Sequence, residues 1–405
     1  MTGLRVAPLG WFVGAVTVLG VLVGAFVGWI EAWFIATAGL ALLLLALPFL
    51  LGARDYRTAL RLSQRSVVAG GAVQAAVEVH NVAGRPQLPA AIELPVGDAL
   101  RELTVPALVA GAQVTLSAEV QTLRRGIIRV GPLTVGRRDP LGMLTREVTW
   151  PESLLVHVHP VTVAVPGSTA GLVRDLEGVA SSRLTDADLS FHAVREYAEG
   201  DPLRHVHWKS TAKTGKLMVR QFEESQSARI AVLVDAHREE YASDDELELG
   251  ISVAASLSLQ AVRDGRERFI GVNGVNAVNG SAAARGSARA SVDGVAEMPA
   301  RTESQLLDAW AALLPATETS ARLESLTRGL AESRRPLSLV YVVTGARPSL
   351  ARIRRAAAQF GPEVRVVVVR SDWLADPAVQ RIGALTVCTV GVLSDLPHLM
   401  LRGAV

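Results

Sequence analysis

"ARIAVLVD", residues 228–235, is an apolar run rich in β-branched residues that ends in a carboxylate. A short run of this kind reads as a strand buried on both faces. The pattern then repeats. "ELELGISVAASLSLQAVRDG" (246–265) has helical periodicity and stops at a glycine, and "RFIGVNG" (268–274) is a second strand. "ESQLLDAWAALLP" (303–315) reads as a helix, "PLSLVYVVTGA" (336–346) as a strand and "PSLARIRRAAAQFG" (348–361) as a helix. "EVRVVVVR" (363–370) is a strand, "DPAVQRIG" (376–383) a helical segment and "ALTVCTVGV" (384–392) a last strand. This alternation predicts an α/β domain over 228–405, a largely parallel sheet with helices on both faces. Ligands of such sheets sit at the carboxyl ends of strands, where Asp235 and Thr344-Gly345 fall. The small, Gly-rich stretch 279–294 reads as a loop.

Upstream, residues 55–165 change to short alternating runs separated by Gly and Pro, among them "SVVAGGAVQAAVEVHNVAG", "AQVTLSAEVQTL" and "GIIRVGPLTVGRRDPLGML". They predict a β-sandwich with a turn at Asp139-Pro140. His157 and His159 share a strand face by period two, but two ligands alone do not make a metal site.

The amino-terminal part is apolar. Residues 6–30 and 32–53 carry no charge, runs of 25 and 22 residues broken only by Glu31. Each exceeds the roughly 20 residues that cross a hydrocarbon core, so residues 1–54 read as two transmembrane helices in a hairpin. Arg5 precedes the first run and Arg54, Arg57, Arg61 and Arg65 follow the second. The positive-inside rule then places both ends in the cytoplasm, with a cytoplasmic body tethered to the inner (plasma) membrane. Gly10, Gly14, Gly20, Gly24 and Gly28 include spacings that let helices approach closely.

Totals bound the function classes. The 405 residues hold 41 basic and 39 acidic side chains, a net charge of +2, without the basic excess of a general nucleic-acid binder. The mean hydropathy of +0.30 fits membrane segments. One cysteine, Cys388, excludes an intramolecular disulfide and fits a reducing compartment.

Chemistry concentrates in residues 166–227, above all in "REYAEGDPLRHVHWKSTAKTGKLMVRQF" (195–222). Asp201-Pro202 is a helix-start signal, Leu203–Ala212 a short helix, Gly215 its left-handed stop, and "KLMVRQF" a strand. "TGKLM" is no phosphate loop, since Ser210 stands at the first glycine position and Leu217 at the magnesium-binding hydroxyl. His205 and His207 invite acid–base or metal chemistry, yet at i and i+2 on a helix they point apart. Arg195, Glu196, Glu199, Asp201 and Arg204 mix signs closely enough to pair with each other, which favours a structural or docking role.

The same stretch resembles the signature of the bacterial domain-of-unknown-function 58 family. The match falls on Arg195, Tyr197, Gly200, Asp201, Arg204, His207, Trp208, Lys209, Ala212 and Lys213, with His207 where many members carry Asp. "RRGIIRVGPLTVGRRDPLGML" (124–144) and the two apolar runs also fit the family layout. The resemblance implies a von Willebrand factor A-like carboxyl-terminal domain and a MoxR-type AAA+ ATPase as partner, with no agreed enzymatic activity. The metal site of such a domain needs D-x-S-x-S, and here Asp235 is followed by Ala236-His237-Arg238-Glu239. No catalytic, cofactor or metal residue is therefore assigned.

The expectation is a membrane α-hairpin, a β-sandwich and a von Willebrand factor A-like α/β domain acting as a tethered adaptor. Two alternatives stay open. One is a hydrolase using His205, His207 and Asp201 on a phosphorylated or cell-envelope substrate. The other binds anionic lipid or nucleic acid through Lys209, Lys213, Lys216 and Arg220.

Overall fold

The computed structural model describes residues 2–50, 56–167, 189–198, 206–224, 230–273, 275–276, 296–316, 320–333 and 337–403. The chain divides into two compact units, 1–161 and 162–405.

In the first unit, β1 (Thr2–Val6) leads into an apolar hairpin of α1 (Pro8–Val27) and α2 (Ile30–Ala46). Pro8 suits the first helical position, where no amide bond is lost, and Gly28 closes α1 with φ +77°. Of the two, α1 is long and apolar enough to cross a membrane, and α2 is a shorter apolar helix. Three glycines lie in the seam between them. Gly20 lies against Ala32 and Ala36, Gly24 against the Trp33 ring, and Gly39 against Thr17. A Cβ on Gly20 would stand 2.9 Å from the Ala32 carbonyl oxygen, so the close approach requires glycine there. Gly14 and Gly28 face open space. Elsewhere the hairpin exposes Trp11, Phe12, Phe26, Trp29 and Phe34.

The rest of this unit is two sheets around one core. One sheet joins β2 (Tyr56–Leu62), β4 (Ala72–Asn81) and β7 (Gln113–Gln121). The other holds β3 (Ser66–Val68), β5 (Ala90–Val96), β6 (Ala99–Val105), β8 (Gly126–Val130), β9 (Leu133–Arg138), β10 (Leu144–Trp150) and β11 (Leu154–His159). Alternate residues of both sheets, such as Val73, Val77 and Val79 against Ile92, Leu94 and Val135, are fully buried in it. β1 belongs to this second sheet, antiparallel to β10 from Thr2↔Val148 to Val6↔Leu144. The sequence reading takes these residues only as the flank of a membrane run. Their strand character depends on a partner far along the chain.

The turn between β9 and β10 meets the hairpin. Asp139, buried, accepts hydrogen bonds from the Leu144 amide (Oδ1, 2.6 Å) and the Leu141 amide (Oδ2, 3.0 Å). Met143 packs with Ala46, Leu144, Val13 and Leu43, and its carbonyl accepts from the Ala7 amide at 2.9 Å. A Cβ on Gly10 would lie 2.5 Å from that carbonyl oxygen, so α1 touches the turn backbone to backbone.

In the second unit, β12 (Leu189–Glu196) pairs antiparallel with β13 (Met218–Glu224), and α3 (Trp208–Thr214) lies between them in sequence. β14 (Ile230–Val234), β15 (Arg268–Val272), β16 (Val275–Asn276), β17 (Ala296–Glu297), β18 (Leu313–Leu314), β19 (Leu339–Thr344), β20 (Arg365–Ser371), β21 (Ala378–Ile382) and β22 (Leu385–Val390) follow. The main sheet has the order β17-β15-β14-β19-β20-β22-β21. β15, β14, β19, β20 and β22 are parallel, and β17 and β21 are antiparallel edges. Helices α4 (Asp244–Arg263), α5 (Glu303–Ala312), α6 (Leu323–Glu332), α7 (Leu350–Ala357) and α8 (Leu396–Gly403) cover its faces. Val232 and Val234 pack in the core that includes α4, α5 and α8, while Ala231 and Leu233 pack in the one that includes α6 and α7. That double burial is why these strands are apolar throughout.

Two local expectations are corrected. Residues 376–383 do not form a helix. Residues Ala378–Ile382 form an edge strand against β22, returning through Gly383 at φ +65°. Leu203–His205 lie outside the described residues, and the short helix of the signature segment runs Trp208–Thr214, with Val206 and His207 before it and its end two residues past Ala212. The Val206↔Val219 bridge keeps the chain extended up to His207, which becomes the cap.

Candidate functional site

The five parallel strands follow a 2-1-3-4-5 order, with β14 first in sequence and flanked by β15 and β19. The chain leaves β14 for β15 on one side and leaves β19 for β20 on the other, so the switch point lies between the ends of β14 and β19, the usual place for a ligand crevice in an open α/β sheet. Register puts three polar residues there. Val234 pairs with Val272 and Val343, so Asp235 stands beside Asn273 on one side and Thr344 on the other. All three are buried, as is His237.

Hydrogen bonds lock the cluster. Asn273 Oδ1 accepts from the Ala236 amide at 2.7 Å, and its Nδ2 lies 2.7 Å from Asp235 Oδ1, 2.9 Å from the Ala321 carbonyl and 2.8 Å from His237 Nδ1. Carboxylate and carbonyl have nothing to donate, so they take the two amide hydrogens. His237 Nδ1 then donates to Asp235 Oδ1 at 2.7 Å. Tyr241 donates its hydroxyl to the Asp235 carbonyl at 2.7 Å, and burial, followed by the charges of Asp235, Glu246 and Glu240, pushes its pKa well above the ordinary value. In this cluster Asp235 Oδ2, His237 Nε2 and Thr344 Oγ1 are buried and have no partner among the described residues. Unpaired buried polar atoms cost free energy and mark a place where a further group is accommodated.

The donors do not make the all-oxygen cage of a hard cation. His237 and Glu239 hold the positions of the two serines. The imidazole bonds to Asp235, and Glu239 is exposed and paired with Arg322 at 3.0 Å. One carboxylate oxygen and one hydroxyl remain, next to a nitrogen that hard ions do not favour. Among the described residues no group of three or more His, Cys, Asp or Glu could hold a metal.

An ion-pair network ties together segments next to this cluster. Glu240, buried, receives Arg352 at 2.7 Å, and Arg352 also reaches Glu324 at 2.7 Å. Gly345 touches the Glu240 carbonyl, where a side chain would collide with backbone. On the same edge, the turn after β20 exposes Trp373 (57%) and Leu374 (97%).

The signature residues lie apart from this cluster in sequence. Gly200, Asp201 and Arg204, with His205, fall outside the described residues. Arg195 is exposed near the end of β12 and bonds the Glu196 carbonyl, and Tyr197 follows with its amide on the Leu217 carbonyl at 2.8 Å. His207 caps α3. Its Nδ1 lies 2.7 Å from Ser210 Oγ and accepts from the Ser210 amide, so one ring nitrogen is committed to the cap. Trp208, Lys209, Ala212 and Lys213 all point outward. The His205/His207/Asp201 set of the hydrolase alternative is thus seen only at His207.

These folds and motifs meet in one match. Residues 193–393 match the family model "Protein of unknown function DUF58". This stretch is a DUF58 domain. The DUF58 domain begins in β12 and ends past β22, so it takes in both the outward-facing helix α3 and the switch-point cluster. No curated protein matches the chain. Among solved structures, a CARDB domain from Pyrococcus furiosus is similar at 13% identity and TM-score 0.20, covering 26% of this chain and 92% of that one. A Listeria innocua β-glucosidase is similar at 16% and 0.18, over 25% of this chain and 16% of the enzyme. The Pseudomonas fluorescens DNA glycosylase AlkC follows at 17% and 0.21, over 37% and 44%. Likeness at that level says nothing about what the DUF58 domain does.

Sequence reasoning locates Asp235 and Thr344 but overlooks Asn273 and the role of His237. Asn273 carries a usable signal, since it is the first residue beyond an apolar strand and falls at the same edge.

Proposed function

We propose that the chain is a membrane-anchored adaptor, with both helices crossing the inner membrane and the DUF58 domain on the cytoplasmic side. The observation that carries this reading is the β1–β10 pairing. It ties the residues before the hairpin into the same sheet as the residues after it. This pairing supports the reading that both flanks share one side of the bilayer and that the hairpin crosses twice. The exposed aromatic and aliphatic side chains of α1 and α2 supply the lipid-facing surface. The basic flanks support the cytoplasmic side.

The α/β domain is read as von Willebrand factor A-like, and its partner as a MoxR-type AAA+ ATPase, both on the family resemblance. Its carboxyl edge would be the docking face, with Trp373 and Leu374 as exposed apolar anchors beside the switch point. Large side chains of this kind form the centre of interfaces.

The test has two parts. Introduced cysteines at the hairpin turn and on β4 should react with impermeant reagents from opposite sides of sealed inner-membrane vesicles. Labelling from the same side would refute the topology. Detergent-extracted full chain should co-purify with the ATPase and lose it on Trp373→Ser plus Leu374→Ser. Equal capture by a folded double variant would refute the docking edge.

A further inference from the structure

Helix α3 buries nothing. Its inner side is short and polar. Ser210 and Thr211 are half-buried there, and Thr211 Oγ1 accepts from the Met218 amide at 3.0 Å. Its outer side carries Trp208 and Ala212, one turn apart, flanked by Lys209 and Lys213, also one turn apart. Trp208 is 70% exposed, and Leu217 just beyond the helix is exposed as well. Lys216 is paired with Glu196, whereas Lys209 and Lys213 have no acidic partner among the described residues. An exposed indole therefore stands beside two ammonium groups that no acidic side chain of the described residues neutralises.

We infer that this face of α3 docks on the anionic headgroups of the membrane that anchors the chain. Two features favour a lipid surface over a protein partner. Trp208 is flanked by two lysines, and lysine is depleted in the desolvated centres of protein interfaces. Indole rings collect instead at the membrane–water boundary, and lysines near an anionic leaflet gain by proximity to its surface potential. Stacking on nucleic-acid bases would use the same indole, but such sites set out several rings for successive bases and α3 presents one. The inference rests on the proposed anchoring only in assuming that a bilayer is within reach.

The test uses the full chain with Ala212→Cys labelled by an environment-sensitive fluorophore. The native thiol, Cys388, is buried and its pKa is pushed up to about 11, so it does not compete for label. The labelled chain is placed in nanodiscs of phosphatidylcholine alone or with added phosphatidylglycerol. Blue-shifted, brighter emission is expected only in the anionic discs and should be reversed by high salt. Each lysine is worth about a fivefold change in the docked-to-free ratio near such a surface, so Lys209→Gln plus Lys213→Gln should lower it roughly 25-fold. Trp208→Ser should abolish the blue shift.

Identical emission in both disc types, or no response to the lysine variant, overturns the inference while leaving the anchoring intact, provided the chain co-elutes with discs. A chain that fails to enter discs refutes the anchoring. The same labelled chain mixed with preformed vesicles then still reads α3. Displacement from anionic discs by RNA at equal charge would reassign the face to nucleic acid.

Discussion

Replacing Asp139 with alanine removes the carboxylate that organises the turn under the hairpin. In the native turn Oδ1 takes the Leu144 amide at 2.6 Å and Oδ2 the Leu141 amide at 3.0 Å. Leu141 is exposed, so its freed amide turns to water. Leu144 is buried, and its amide would be left dry. A lost hydrogen bond to a charged acceptor and a stranded buried donor together cost about 2–4 kcal/mol. The first unit spans 161 residues, for which each kcal/mol moves the midpoint by about 2–4 °C, so its melting should fall by roughly 4–16 °C. The turn also seats Met143 against Ala46, Leu43 and Val13 and accepts the Ala7 amide through the Met143 carbonyl. Hydrogen exchange should therefore quicken at Leu144 and at Ala7 together. Asp139→Asn keeps one acceptor and should fall about midway. The assay is thermal unfolding of detergent-purified full chain with peptide-resolved exchange. A shift under about 2 °C, with native protection at both amides, would refute this account of the turn.

Three further outcomes follow from the second unit. Burial holds the Cys388 thiol at a pKa of about 11, so the folded chain should resist maleimide at pH 8 and react fully in denaturant. Burial of Glu324 opposes its ionisation, but hydrogen bonds from Arg352 and from the backbone, with the charges of Arg352 and Arg355, outweigh it and lower its pKa below 4.5. Stability from this pair is thus complete above about pH 5 and lost as pH falls through the lowered value, and Arg352→Met should flatten that acid limb in a pH series of melts. Gly345→Ala drives a methyl group into the Glu240 carbonyl and should destabilise the second unit by about 1–3 kcal/mol in chemical denaturation, whereas the same change at open Gly14 should not.

What the sequence discloses depends on how local the cause is. Strands β14, β19 and β20 announce themselves, because burial on both faces leaves no polar position to obscure them. Helix α4 does so too, with Ser243 as cap and a long apolar stripe. The segment 376–383 misleads because Asp376-Pro377 is a good helix start, and only its neighbour β22 pulls the following residues into a strand. The start of α3 is set by the Val206↔Val219 bridge, a contact invisible in local composition. At the switch point, Asp235 and Thr344 are legible as strand ends. Their meeting with Asn273 and His237 is not, since it needs the register of three strands and a turn that folds His237 back onto Asp235.

The pairing of β1 with β10 also dictates an order of events. The strand that precedes the hairpin emerges during synthesis long before the strand it will join. Both apolar helices are therefore free to leave the aqueous phase while the sheet edge is still unwritten. Under the proposed topology, pairing with β10 would close a loop through the bilayer, like a clasp fastened behind a pin already pushed through cloth. A hairpin inserted with its flanks on opposite sides could not be fastened at all, so completion of the sheet would report that insertion had gone correctly.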